Sequence, residues 1–143
     1  MKIINESLEI ACSLLPSAIK SRDKNMLFHF AFAYKKNKLL CIGQNNPEKT
    51  HPRALMVSNK FKTDIEYPYL HAETDVVSKL WNTHKIDSSI DLVVLRLSKH
   101  GKVKISKPCR RCEKVIRAVG FGEVWWSTNT GFASYENRIE IPR

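Results

Sequence analysis

Several things are missing from this 143-residue sequence, and each absence narrows what the chain can be. No apolar run approaches the roughly 20 residues that a membrane-spanning helix needs. The first residues, with Glu6 and Glu9 among them, lack the basic-then-apolar order of a secretory signal. The expectation is therefore a soluble, cytoplasmic protein with no membrane partner. Low-complexity tracts and internal repeats are absent, and there are only five Gly and six Pro, so neither disorder nor a repeat array is indicated. Cysteines number four. Two disulfides would be conceivable in a secreted chain, but the close spacing of Cys109 and Cys112 argues instead for metal or redox chemistry in a reducing compartment. Cys12 and Cys41 stand in apolar surroundings and read as small core residues. No further cluster of Cys or His suggests a second metal. Acidic residues are scarce, 14 against 24 Lys and Arg, for a net charge of +10. Such a balance favours phosphorylated or polyanionic partners, nucleic acid included, unless it serves solubility alone.

What is present suits a single domain over residues 1–143, large enough to bury a core without staples. From Asn5 to Ile19, apolar residues recur at helical spacing (Leu8, Ala11, Cys12, Leu15, Ala18, Ile19), with Asn5 as cap and Pro16 expected to kink or shorten the helix. Leu27 to Tyr34 sets Phe28, Phe30, Phe32 and Tyr34 on alternate positions with alanines between, as in a central strand covered on both faces. Lys36-Asn37 reads as a turn, and Lys38 to Gly43 as the hairpin partner. A long segment with Pro47, Pro52 and Pro68 follows, carrying a short helix near Leu55–Ser58, before a helix opens at His71 and runs through Val76, Val77, Leu80 and Trp81. Asp91 to Leu97 is a buried strand with an extended, Lys-rich continuation after Gly101. Cys109 opens a helix that Gly120 closes, and Glu123 to Ser127 is a last strand. Trp125 and Trp126 must point to opposite faces of it, one into the core and the other available to stack on a base. The order α-β-β-α-β-α-β implies a mixed sheet flanked by helices. No element is assigned from Gly131 to Arg143.

The chemistry is concentrated in Pro108-Cys109-Arg110-Arg111-Cys112 and His71-Ala72-Glu73. Two cysteines three positions apart on a first helical turn share one side, and the positive helix N-terminus favours their thiolates, the form that binds metal. A redox pair is the other use of this spacing, but the thioredoxin-like strand that should precede it is absent. Cys109, Cys112 and the imidazole of His71 make three ligands, and three ligands leave the fourth position of a zinc ion open for water, as catalytic zinc requires. A carboxylate is then needed to move the water's proton, and Glu73 is the nearest. Taken alone, His71 and Glu73 would pass for an ordinary helix start, with the acid favourable to the dipole.

His71-Ala72-Glu73 together with Pro108-Cys109-Arg110-Arg111-Cys112 resembles the H-x-E and P-C-x-x-C signature of the zinc-dependent cytidine/deoxycytidylate deaminase superfamily, over roughly residues 1 to 130. The resemblance implies a three-layer α-β-α sandwich with a mixed five-stranded sheet and zinc held by His71, Cys109 and Cys112. It implies that Glu73 shuttles protons while zinc-activated hydroxide displaces an amino group as ammonia. Gly43-Gln44-Asn45 resembles the family's Gly-x-Asn, whose Asn touches the sugar; Asn45 and Ala72 are thus expected substrate contacts, and Asn46 is an alternative to Asn45. Lys107 stands where relatives often carry Ser or Glu. Superfamily members act on cytidine, deoxycytidylate, cytosine in single-stranded DNA or RNA, tRNA adenosine or guanine, and relatives often build their pockets between subunits, so a homo-oligomer is expected. The expectation here is a hydrolase of nucleotide metabolism acting on a small cytosine nucleoside or nucleotide, preferably phosphorylated because Lys107, Arg110 and Arg111 lie by the metal. Two alternatives stay open. In a nucleic-acid deaminase, Lys20–Lys24, Lys35–Lys38, Lys60–Lys62 and Lys99–Lys104 would line a groove to the zinc, and Phe132 and Tyr135 would shape its entrance. In a zinc-fold binding module there would be no activity at all.

Overall fold

The stretch in which aromatics alternate with alanine stands near the middle of a twisted sheet. In the computed structural model, which describes residues 1–20, 28–45, 71–81, 83–135 and 138–140, it forms β1 (Phe28–Lys35) and returns as β2 (Lys38–Gln44). Lys36 and Asn37 both have positive φ, 51° and 63°, the type I′ turn whose twist suits a tight antiparallel hairpin. On its other side β1 pairs antiparallel with β3 (Ile90–Leu97). Beyond Gly101 the chain forms a two-residue β4 (Val103–Lys104) that folds back antiparallel on β3, where a simple continuation was expected. β3 then pairs parallel with β5 (Val124–Ser127), the one parallel step among the described strands. The tail left without an element supplies β6 (Gly131–Ser134) and β7 (Arg138–Glu140), so the strand order is β2-β1-β3-β5-β6-β7, wider than five strands.

Helices cover both faces. Phe28, Phe30, Phe32, Tyr34, Val93, Leu95, Leu97, Trp125 and Phe132 form one core with Ile3, Ile4, Ala11, Leu15 and Ala18 of α1 (Lys2–Lys20). Ala31, Ala33, Leu92, Val94, Val124 and Trp126 form the other, beneath α2 (Ala72–Leu80) and α3 (Arg110–Val119). The two neighbouring tryptophans are thus split between the cores, and both are buried. The small side chains of Ala31 and Ala33 leave room for α2, while the phenyl rings fill the space under α1. Among the described residues no helix is long and apolar enough to cross a membrane.

Helix α1 departs from expectation in three ways. It begins at Lys2, before Asn5, and it continues through Pro16. Pro16 is exposed, so the backbone carbonyl that loses its partner there faces water. Cys12 is exposed too and is no core residue. The buried stripe runs through Ile3, Ser7, Ala11, Leu15 and Ala18, with Ser7 inside because its hydroxyl donates to Ile3 O at 2.7 Å and meets Tyr34 Oη at 2.8 Å. Cys41 is partly buried. The Leu55–Ser58 helix and Asn46 lie outside the described residues, as do the Lys60–Lys62 cluster and all of Lys20–Lys24 beyond Lys20.

Candidate metal centre

Both helices of the second core begin at the same edge of the sheet, above the carboxyl ends of β3 and β5. In open α/β sheets this is where ligands bind. Helix α2 is held there by close backbone contact and by an acid. At Gly43 a Cβ would lie 2.4 Å from the carbonyl oxygen of Ala72 and 2.9 Å from Val76 N, so only glycine lets the helix lie so near β2. Asp75, buried, accepts a hydrogen bond from Gln44 N at 3.1 Å and pairs with Lys79 at 3.0 Å, pinning the first turn of α2 to the end of β2. Helix α3 is fixed through the segment before it. Ser106 N donates to Ser127 O at 3.0 Å, Ser106 Oγ donates to Val94 O at 2.9 Å, and Ser127 Oγ donates to Lys104 O at 2.6 Å. These bonds stitch the approach to Pro108 and Cys109 onto β3 and β5.

His71 is the N-cap of α2, with extended backbone (φ −87°, ψ 154°), and its ring makes no capping bond. Asp75 N and the Thr74 hydroxyl both donate to its carbonyl, at 3.0 and 2.9 Å. The imidazole faces the cysteines instead, with Nδ1 3.7 Å from Cys109 Sγ and 3.2 Å from Cys112 Sγ. Cys109 is in turn the N-cap of α3, and its sulfur accepts from Cys112 N at 3.4 Å. All three ligand atoms lie within 4.8 Å of one another and can hold a metal ion. Around a tetrahedral zinc, nitrogen and sulfur ligands would stand about 3.6 Å apart, so the residues present fit that ion.

The protonation pattern agrees with a metal-ready pair. The hydrogen bond from Cys112 is the largest cause that brings the Cys109 thiol down to about 3, and His71 assists. Cys112 goes the other way, held well above the ordinary thiol range by its bond to Cys109 and by burial. Without a metal the pair thus shares one proton, and a cation would release it. Hydrogen bonding to Cys109 raises His71 above its usual value. Glu73 is 5% exposed; burial is the main cause that raises its carboxyl, with a hydrogen bond to Cys112 opposing.

Of the residues expected to touch substrate, Ala72 is fully buried against β2. Asn45 lies at the end of β2, buried, its Oδ1 accepting from His29 N at 3.1 Å. Lys107, beside the site, is stacked over Trp126 at 5.7 Å, and Arg117 over Tyr135 at 4.7 Å, with the two rings edge to face at 4.8 Å. Asp75, Ser106 and Ser127, which position the ligand helices, were not singled out in the sequence. Nor were His29 and Arg96, polar residues inside the apolar strands β1 and β3. Comparison with protein-family models finds no match, and comparison with curated proteins finds none either.

Proposed function

We propose that the chain is a zinc-dependent hydrolytic deaminase of a cytosine-type nucleoside or nucleotide, with a cytidine deaminase-like fold. The observation that carries this reading is the meeting of one imidazole nitrogen and two cysteine sulfurs with a buried carboxyl, Glu73, on the same helix turn as the histidine. His71, Cys109 and Cys112 would hold the metal, and a zinc ion with three protein ligands supplies a Lewis acid that makes water acidic near neutral pH. Glu73 accepts the proton of the attacking water and returns it to the base. Water adds to the ring carbon that bears the amino group, the carbon–nitrogen bond breaks, and ammonia leaves with the transferred proton. Burial favours the protonated form of Glu73, which suits a group that must both take and give a proton. A carboxylate serving only the helix dipole would have no need of that burial.

A deaminase of nucleic acid is the second reading, favoured by the cation and aromatic pairs Lys107–Trp126 and Arg117–Tyr135 near the metal helix. Against it, Lys35–Lys38 spans the β1–β2 turn, and Lys35 pairs with Ile90, the first residue of β3, at the end of the sheet opposite the metal site. That cluster would not join a groove leading to the metal.

The test is ammonia release and product mass from zinc-loaded protein on cytidine, deoxycytidine, their monophosphates, guanine, single-stranded DNA and tRNA. Turnover of a free nucleoside or nucleotide that falls at least about 100-fold in Glu73→Ala supports the first reading, provided the variant keeps its zinc. Turnover of polymer alone would replace it with the second. Zinc bound without turnover of any substrate would leave the binding module.

A further inference from the structure

The sheet presents its side chains to the metal face in rows, and two consecutive rows differ sharply in character. The first row is Gly43, Ala31, Val94 and Trp126, neighbours across β2, β1, β3 and β5. It is apolar, and α2 rests on it through Ala72 and Val76. One step of two residues further toward the metal edge, about 7 Å on, the same face carries Asn45, His29 and Arg96. His29 and Arg96 are direct cross-strand partners, and Asn45 is bonded to the backbone of His29 on the other side, in both directions. Because α2 begins over the first row at Ala72 and His71 precedes it, the second row lies toward the same end of the sheet as the metal site.

Arg96 is the unusual member. Its backbone N–H donates to Ser127 Oγ, but among the described residues its guanidinium makes no hydrogen bond or ion pair, and Nε is buried without a partner. Arg96 is partly exposed as a whole, but a buried guanidinium N–H such as its Nε normally has a carboxylate or carbonyl to compensate it. Here the flanking strand positions offer His29 and Lys104, neither of them an anion, and among the described residues no carboxylate pairs with this charge on a central strand.

We infer that Arg96 is a specificity residue that binds a phosphate of the substrate, with His29 and Asn45 completing the row that receives it. Guanidinium binds phosphate oxygens through paired N–H donors. The inference rests on the deaminase reading for the identity of the base, but not for the anion. It makes the substrate a nucleotide in preference to a nucleoside, and the phosphate is either the monoester of a free nucleotide or a diester within a strand.

The experiment follows the Nε–Hε resonance of Arg96 in 15N-labelled, zinc-loaded protein, assigned by its loss in Arg96→Lys. The resonance is titrated with cytidine, cytidine 5′-monophosphate, inorganic phosphate and a cytosine trinucleotide, and affinity ratios are measured in parallel. The monophosphate is expected to move the resonance where cytidine does not, and to bind at least about 30-fold tighter. In Arg96→Met that ratio collapses toward one, in Arg96→Lys it is partly kept, and in Lys38→Met, a charge change at the far edge of the sheet, it persists. A trinucleotide as effective as the monophosphate assigns the diester, and a weaker one assigns the free nucleotide. Equal responses to cytidine and its monophosphate, or a ratio untouched in Arg96→Met, overturn the inference. A resonance that follows phosphate in a protein that deaminates nothing upholds it and sinks the deaminase reading. Turnover with a resonance indifferent to phosphate does the reverse.

Discussion

Replacing Gly43 by alanine adds one methyl group to β2, and its cost can be worked from contacts across to α2. The added carbon would lie 2.4 Å from Ala72 O, 2.7 Å from Val76 Cγ2 and 2.9 Å from Val76 N. A close carbon–oxygen contact stands at about 3.3 Å, so the first turn of α2 must retreat by nearly 1 Å. The valine methyl can rotate aside, but the two backbone atoms move only with the helix. Overpacking of this kind costs about 1–3 kcal/mol, or roughly 3–9 °C in midpoint for a chain of this length. The same shift carries His71 away from the cysteine sulfurs, and loosening a metal ligand's support typically costs about 10- to 100-fold in affinity. Thermal unfolding with and without chelator, combined with zinc competition against a chromophoric chelator, reads both effects. Gly101→Ala is the control. Gly101 has φ +82° with nothing nearer than 4.0 Å to its Cβ position, so it should lose about 1 kcal/mol to backbone strain and keep its metal affinity. Gly43→Ala protein with unchanged midpoint and unchanged zinc affinity would refute the argument that β2 sets the position of His71.

Two further outcomes follow from the same geometry. Cys112→Ser should lower bound zinc from one ion per chain to a small fraction and erase the chelator-sensitive part of thermal stability, while Cys12→Ser, exposed on α1, keeps both; metal analysis of the dialysed proteins decides. Tyr34, fully buried, is pushed by that burial from 10.0 to about 12. Below pH 10 the phenol is protonated in both folded and unfolded chains. Between 10 and 12 the unfolded chain loses the proton first, so the contribution to stability declines as pH rises and is gone above 12. Urea midpoints between pH 9 and 11.5 should therefore fall more steeply for the wild type than for Tyr34→Phe, and equal slopes would contradict the assignment.

The parts of the fold that were legible in the sequence are those with local causes. Cys109 and Gly120 bound α3 because one is an N-cap and the other adopts φ 79°, both properties of single residues. β1 shows itself through alternation, and the ligand set through spacing. What was not legible depends on partners distant in the chain. β4 has only two residues, and β6 opens with Gly and closes with Ser around Phe132 and Ala133, so neither shows a strand pattern of its own, and each is held by the hydrogen bonds of a neighbour strand. The buried stripe of α1 passes through Ser7, a polar residue made acceptable by Tyr34, 27 positions away. Pro16 reads as a break until its solvent exposure is known. At the site, His71, Cys109 and Cys112 could be named in advance, but Asp75, Ser106 and Ser127 are ordinary residue types whose positioning role comes only from where β2, β3 and β5 end.

Cys109 and Cys112 lie 38 and 41 residues from His71, and that separation sets an order of events in assembly. The cysteine pair is local, but the imidazole reaches it only when β3 has paired with β1 and β5 and both ligand helices have docked, a closure of long loops that is slow compared with forming either helix. Capture of a metal by this cluster would therefore come late and act as a latch on a sheet already formed rather than as its nucleus. In the interval the two thiols are neighbours without a metal at the start of a helix, a position that favours the reactive thiolate. A chain made or refolded without zinc is thus exposed to oxidation at the very residues proposed to hold it, and the yield of refolded protein with both thiols intact becomes a race between docking and oxidant.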